Sequence, residues 1–164
     1  MDPLGQHALT CKKNAGRIQR HAWLNDLIFR ALIRADIPAV KEPQGLSRND
    51  GKRLDGLTLV PWQSGHCATS DVTVVHTLAA SYASQSAVQA GSAAAAASDR
   101  KIAKYSNLSS SHLFFPVAVE TVGALADDGH RFIREIDRRA ALSNADPRET
   151  MFSLSALLDC DSAI

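Results

Sequence analysis

A chain of 164 residues is long enough for one ordinary domain with a buried core, and its 45% apolar and 21% charged content is that of a soluble globular protein. The net charge of +1 excludes a uniformly basic or acidic protein, but ten Lys and Arg residues and only five Asp and Glu residues precede Leu54. This local excess predicts a basic face that contacts a polyanion, or else a solvated helix surface.

The cysteine count and the length of the apolar runs indicate in which cellular compartment the protein is expected. Cys11, Cys67 and Cys160 are an odd number without a repeated spacing, which argues against a disulfide framework. The N-terminus has no apolar signal segment, and no apolar run is long enough to cross a bilayer. The sequence therefore predicts an intracellular protein with no membrane partner, and these signals do not separate cytosol from nucleus.

The first 14 residues predict an irregular segment, because they contain Pro3 and Gly5 and few apolar residues. His7 and Cys11 have the spacing of half a zinc knuckle. A closed zinc site needs four ligands, and no nearby pair of Cys or His supplies the others. A segment without zinc is therefore the preferred interpretation.

The next stretch predicts an amphipathic helix from Ala15 to Ala35, because its apolar residues recur at intervals of three and four. Pro38 prevents the helix from continuing, and residues Ile37 to Val40 predict a short edge strand. The stripe expected to face the core comprises Leu24, Leu27, Ile28, Ala31, Leu32 and Ala35.

Two short β-type runs follow, Leu57–Val60 and Val72–Val75, each preceded by an aspartate. The residues between the runs are turn-like. Carboxylates that begin neighbouring strands are expected at one end of a sheet, so Asp55 and Asp71 predict a site for a hard divalent cation. The alternative is that these aspartates only mark turns. The turn-like residues are Pro61, Gln63, Ser64 and Gly65.

The second half of the chain predicts a helix, a strand and two more helices. The alanine row Ala93–Ala97 favours a helix from Ser92 to Lys104 or Tyr105. Leu113–Glu120 is apolar on both faces, which is typical of a sheet interior, although Pro116 favours an edge or a bulge. The two helices are expected at Arg131–Leu142 and from Pro147 onward, with Asp146 as the N-cap of the latter.

The chemistry with most support in these residues is metal-assisted hydrolysis. The sequence contains neither a Gly-x-Ser-x-Gly elbow nor a phosphate-binding glycine loop. Asp55 and Asp71 remain, together with Lys101 and Lys104, which project to one side of the predicted helix. Carboxylates that hold a metal and a lysine that positions water suffice for phosphodiester hydrolysis. For the lysines alone, a solvated helix face is the competing interpretation.

Three short motifs in this order resemble the restriction-like endonuclease domain of site-specific non-LTR retrotransposons, a branch of the PD-(D/E)xK nuclease superfamily. They are Lys52-Arg53-Leu54-Asp55-Gly56, Asp71-Val72-Thr73-Val74 and Lys101-x-x-Lys104-Tyr105. The resemblance implies an α/β fold with a restriction-endonuclease-like αβββαβ core, a mixed central sheet and extra C-terminal helices. It places this domain at residues 15–150, between an irregular segment 1–14 that resembles a remnant zinc knuckle and an atypical tail 151–164.

The resemblance also implies roles for individual residues. Asp55 matches the aspartate of the PD motif and Asp71 the second acidic ligand, so these two are the expected ligands of Mg²⁺ or Mn²⁺. Glu42 is an expected accessory carboxylate. Thr73 stands where the motif has its lysine, and in this family a lysine of the next helix serves instead, which makes Lys101 the first candidate and Lys104 the second.

The expected activity is a metal-dependent DNA endonuclease derived from a retroelement. The resemblance implies double-stranded DNA as the substrate, a nuclear location, and the remainder of a retroelement reverse transcriptase protein as a possible partner. His7-x-x-x-Cys11 and the basic residues after it are similar to the approach to that domain, a segment that helps to grip DNA. The residues expected to contact DNA are Arg17, Arg20, His21, Lys52 and Arg53.

Two other functions stay open. A binding module of the same fold without turnover, as in a decayed retroelement, is favoured by Leu54, which replaces the proline of the motif, and by Ser70, which replaces a large apolar residue. Leu54 predicts a less constrained turn before Asp55, and Ser70 predicts weaker local packing before Asp71. An unrelated small α/β interaction domain is the third possibility, and it predicts no metal binding.

Overall fold

A computed structural model describes residues 15–46, 53–77, 79, 82, 86, 88–121 and 123–144. The α/β fold expected from the sequence is confirmed, with a mixed four-stranded sheet and helices before, within and after it. None of the helices in these ranges is long and apolar enough to span a membrane. The elements are α1 (Ala15–Arg34), β1 (Ala39–Lys41), β2 (Gly56–Gln63), β3 (His66–Val75), α2 (Ser92–Lys104), a 3₁₀ turn (Ser106–Leu108), β4 (His112–Glu120) and α3 (Asp127–Asn144).

The strands lie side by side in chain order. β1 pairs with β2 and β2 pairs with β3 in antiparallel fashion, whereas β4 runs parallel to β3. The parallel connection passes through α2, as a parallel crossover requires. Pro116 belongs to β4, an outer strand of the described sheet, which agrees with the edge position that proline favours.

The larger core lies between the sheet and the helices α1 and α3. The predicted stripe of α1 faces this core: Leu24, Ile28 and Leu32 are almost fully buried, and Leu27 packs against them. An aromatic group formed by Trp62, Phe115 and Phe132 fills the far end, with ring centroids 4.6–5.9 Å apart. Offset and edge contacts of this kind stabilise a core beyond the burial of area alone.

The opposite face of the sheet is covered by α2, which packs on β3 and β4 through small side chains. Ala93 and Ala94 have no exposed surface, and Ala118 of β4 faces them in the same apolar cluster. The N-terminus of α2 has no capping side chain of its own, since its N-cap is Gly91. Instead, the buried Glu120 accepts hydrogen bonds from the Ala93 and Ala94 amides at 2.9 and 3.2 Å. A carboxylate in this position satisfies two unpaired donors and complements the helix dipole.

The hairpin between β2 and β3 is tighter than the sequence predicted. Pro61 and Gln63 belong to β2, so the turn contains only Ser64 and Gly65, both with positive φ values of 51° and 79°. Two central residues of this kind form the hairpin turn whose twist matches that of the strands. The irregular register around Pro61 explains why the run continues past a residue that usually ends a strand.

The last described helix also differs from its prediction. α3 begins at Asp127, one turn before the expected start at Arg131, and it ends at Asn144. The acidic pair Asp127 and Asp128 favours a helix N-terminus through the helix dipole, but no apolar period marks this first turn. The helix expected after Pro147, the segment 1–14 and the tail 151–164 lie outside the described residues.

The close packing of α2 on the sheet yields a stability prediction. Replacing Ala94→Leu should destabilise the fold by about 1–3 kcal/mol, because the extra side chain enters a fully buried contact. Ala95→Leu is the matched control, since Ala95 is exposed one position along the same helix and leucine has nearly the helix propensity of alanine. Urea unfolding of both variants measures the difference. Equal stabilities would contradict the packing described here.

Candidate active site

The register of the sheet brings the two predicted aspartates together. Gly56 pairs with Ser70 across the antiparallel strands, so Asp55 lies beside Asp71. The Asp55 amide donates to the Ser70 carbonyl at 3.0 Å, and the Asp55 carbonyl accepts from the Glu42 amide at 3.0 Å. Glu42, Asp55 and Asp71 therefore follow one row across the sheet.

The reason for this proximity is not the one expected from the sequence. Asp55 directly precedes β2, as predicted, but Asp71 lies in the middle of β3, which begins at His66. Because β2 and β3 are antiparallel, carboxylates at the start of both strands would lie at opposite ends of the pair. The two aspartates meet only because β3 begins well before its valine-rich part.

The side chain of Asp55 is held by two donors from different elements. Its Oδ2 atom accepts a hydrogen bond of 2.6 Å from the Val72 amide, and the Nε2 atom of His21 on α1 lies 3.2 Å from the same oxygen. Leu54, just before it, is fully buried. The aspartate is thus held by two donors although Leu54 stands in place of the proline of the motif.

The small residue Ser70 also fits its surroundings. A β-carbon added at Gly56 would approach the Ser70 Oγ atom to 2.7 Å, so serine and glycine together allow the strands to meet closely at this point. Ser70 is buried. A larger apolar residue here would require a different neighbour, and the substitution therefore does not weaken the local packing as expected.

Asp71 contacts the first of the two candidate lysines. The Nζ atom of Lys101 on α2 forms a salt bridge with the Asp71 Oδ2 atom, and both side chains are largely buried. Lys104 lies three residues on and is exposed. The structure thus brings Asp55, Asp71 and Lys101 together.

The two carboxyl groups differ in their affinity for protons. Burial raises the pKa of Asp71, and the nearby Asp55 carboxylate raises it further, against the lowering effect of the Lys101 ammonium. Burial also raises the pKa of Asp55, but the hydrogen bond and charge of His21, helped by the Val72 amide, outweigh burial and hold that pKa below its ordinary value. The His21 pKa is raised, mainly by the same hydrogen bond. Asp55 is therefore the ionised partner, and Asp71 takes up a proton more readily.

The remaining predicted residues have diverse surroundings. Glu42 is exposed and has a left-handed backbone, with φ of 47°. Arg20 donates to the Thr121 carbonyl at 2.9 Å, so it also ties α1 to the end of β4. Arg17 is half-buried and Arg53 is exposed two residues before Asp55. The structure does not describe Lys52, His7 or Cys11.

His21 is the residue whose place the sequence did not predict. It was expected to contact DNA, but its imidazole lies against Asp55. A signal was present in the sequence: His21 precedes Leu24 by three residues and Ile28 by seven, which places it on the buried face of α1. The partner could not be inferred, because it depends on how the helix lies on the sheet.

The donor set partly fits a divalent metal. Asp55 and Asp71 offer oxygen ligands of the kind that Mg²⁺ binds, with water completing the shell. In the described part of the chain, no group of three or more His, Cys, Asp and Glu residues could hold a metal ion. His21 and Lys101 already face the two carboxylates, so an ion would compete with two protein cations.

Comparison with known proteins leaves the family open. No protein-family model matches this chain, and no curated protein matches it either.

The pair formed by His21 and Asp55 generates a pH prediction. The raised His21 pKa gives stability that is complete below 6.5 and is lost as pH rises through the folded-state value. The lowered Asp55 pKa gives stability that is present above 3.8 and is lost as pH falls through its folded-state value. The pair should therefore stabilise the fold most between these two limits, by less than about 1 kcal/mol, since 40% of the His21 side chain is exposed.

The test is urea unfolding of the parent and of His21→Ala at about pH 5.5 and about pH 9. The stability difference should shrink at the higher pH. Gln19→Ala, at an exposed position of α1, is the control and should show no such change. A difference independent of pH would contradict the pairing.

Proposed function

We propose that this chain is a metal-dependent DNA endonuclease of the restriction-like type, which hydrolyses phosphodiester bonds. The observation that carries the proposal is the contact of Lys101 with Asp71, beside Asp55. Two carboxylates on neighbouring strands and a lysine from the following helix are the parts that such hydrolysis needs. The order of elements and the three motifs that resemble retrotransposon endonucleases support the same proposal.

In this proposal Asp55 and Asp71 hold Mg²⁺ or Mn²⁺ through oxygen atoms. The bound ion supplies Lewis-acid polarisation of a phosphate and a lower pKa for water. Asp55 is the member of the pair that stays ionised, because His21 and the Val72 amide stabilise its charge. Asp71 contributes the second carboxylate, and the Lys101 ammonium provides its counter-charge.

Lys101 orients the attacking water and stabilises negative charge at the scissile phosphate in this mechanism. Its stem is largely buried, with 22% of the side chain exposed, and its Nζ atom lies 5.9 Å from the centroid of the Tyr105 ring. These surroundings limit the conformations of the lysine. An ordered lysine positions water more effectively than a mobile one, because less orientation is lost on reaching the transition state.

DNA is held through its backbone by basic residues around the carboxylate row. Arg53 is exposed two residues before Asp55, and Arg17 lies one turn before His21 on α1. Lys52 adjoins Arg53 in sequence. Contacts of this type supply affinity without sequence preference and depend strongly on salt.

A second candidate function is a binding module of the same fold that has lost turnover. The ion pairs of His21 with Asp55 and of Lys101 with Asp71 favour it, because they neutralise both carboxylates within the protein itself. Buried carboxylates paired in this way can be purely structural. The two candidates differ in metal binding and in nicking.

The nuclease proposal predicts that Asp55→Ala and Asp71→Ala each abolish nicking of plasmid DNA as completely as the double variant, since residues that act as a unit are not additive. Lys101→Ala should reduce the rate severely without lowering metal affinity, because the lysine is not a ligand. Lys104→Ala is the comparison and should retain most of the rate. Nicking with and without Mg²⁺, beside calorimetric metal binding, measures both properties.

Metal-independent nicking, or undiminished nicking by Asp71→Ala, would overturn the mechanism. A parent chain that binds duplex DNA but neither binds Mg²⁺ nor nicks would support the binding module. If Lys104→Ala lost the nicking rate and Lys101→Ala retained it, Lys104 would be the lysine that positions the water.

The DNA contacts give a separate prediction. Replacing Arg17, Lys52 and Arg53 together by alanine should weaken binding to every duplex to the same extent and flatten its salt dependence by up to roughly 0.9 per lost phosphate contact. Arg20 is left in place because its bond to the Thr121 carbonyl supports the fold. Fluorescence anisotropy over a range of salt concentrations measures the effect, with Arg134→Ala on the exposed side of α3 as the control. Loss confined to one DNA sequence would instead indicate base recognition.

A further inference from the structure

We infer that His21 is a positioning residue for Asp55 rather than a contact to the DNA backbone. The inference rests on the proposed nuclease function and deepens it. Its starting observation is the distance of 3.2 Å between the His21 Nε2 atom and the Asp55 Oδ2 atom. The same oxygen accepts the Val72 amide at 2.6 Å.

Two donors on one oxygen fix the orientation of a carboxylate. The Val72 amide belongs to β3 and the imidazole belongs to α1, so they approach Asp55 from two separate elements. Rotation about the bond to the carboxylate would break both hydrogen bonds at once. Asp55 therefore presents its other oxygen in a fixed direction. Hydrogen-bond partners behind a metal-ligating carboxylate orient it in this way in general.

The imidazole itself is held by the packing of α1. Leu24 and Ile28, three and seven residues after His21, are 2% and 3% exposed in the larger core. The helix position therefore determines where the ring can lie. The Nε2 atom that contacts Asp55 is not available for a phosphate oxygen.

The neighbouring carboxyl group explains why such a partner is needed. Asp71 lies beside Asp55 in the row across the sheet, and two carboxylates repel each other when both are ionised. The His21 imidazole gives the Asp55 carboxylate a donor from α1 that offsets this repulsion. Lys101 contacts Asp71, and His21 contacts Asp55.

The experiment compares His21→Ala, His21→Gln and Arg17→Ala. Calorimetry measures Mg²⁺ binding, and anisotropy measures duplex binding in EDTA across a salt series. His21→Ala should lower Mg²⁺ affinity by about 10- to 100-fold and leave metal-free duplex affinity and its salt slope unchanged. His21→Gln keeps an N–H donor and should recover part of the loss. Arg17→Ala should show the opposite pattern, with weaker duplex binding and unchanged Mg²⁺ affinity.

Three outcomes decide the matter. The pattern above, with circular dichroism showing an intact fold, supports positioning. A His21→Ala variant that binds Mg²⁺ as the parent does, but binds duplex more weakly with a flatter salt slope, overturns the inference and leaves the nuclease proposal standing. A parent chain that binds no Mg²⁺ overturns the nuclease proposal and the inference together.

Discussion

The pairing of β2 with β3 is the constraint on which the rest of the candidate site depends. Gly56 lies opposite Ser70, and the space between them would not accept a β-carbon without displacing the serine. A slip of one residue would turn every side chain of the strand to the other face and would separate the two aspartates. The register of this pair therefore makes two acidic residues, distant in sequence, neighbours.

The second constraint is the seating of α2. Glu120 at the end of β4 accepts hydrogen bonds from the Ala93 and Ala94 amides at the start of the helix. The buried alanine residues there let the helix backbone approach the strands closely. These contacts determine the direction and depth of the helix over two turns. Lys101 reaches Asp71 as a result. The site is thus built from a hairpin, a docked helix and the N-terminal helix that carries His21.

The sequence predicted the parts whose signals are local. The stripe of α1, the alanine-rich α2 and the apolar β4 follow from periodicity and propensity, and their limits agree with the structure within a residue or two. The start of β3 was missed because Cys67–Ser70 is neither strongly apolar nor alternating, and its extended form depends on pairing with two neighbours. Asp55, Asp71 and Lys101 were singled out from motif spacing. The contact of His21 with Asp55 and that of Glu120 with the start of α2 could not be predicted from the sequence. Each contact joins elements whose relative placement is decided only by the packed core.

The position of Lys101 on a helix has a mechanical consequence. A lysine two residues from its aspartate on the same strand moves with that aspartate, and their separation is nearly independent of the rest of the molecule. Here the aspartate belongs to the sheet and the lysine to a helix that rests on alanine side chains. Any change in the thickness of that alanine layer alters the distance between the two charged groups. The alanines between α2 and the sheet therefore act as spacers that determine the distance between the Lys101 backbone and Asp71. Their size thus affects the candidate site as well as the packing of the helix.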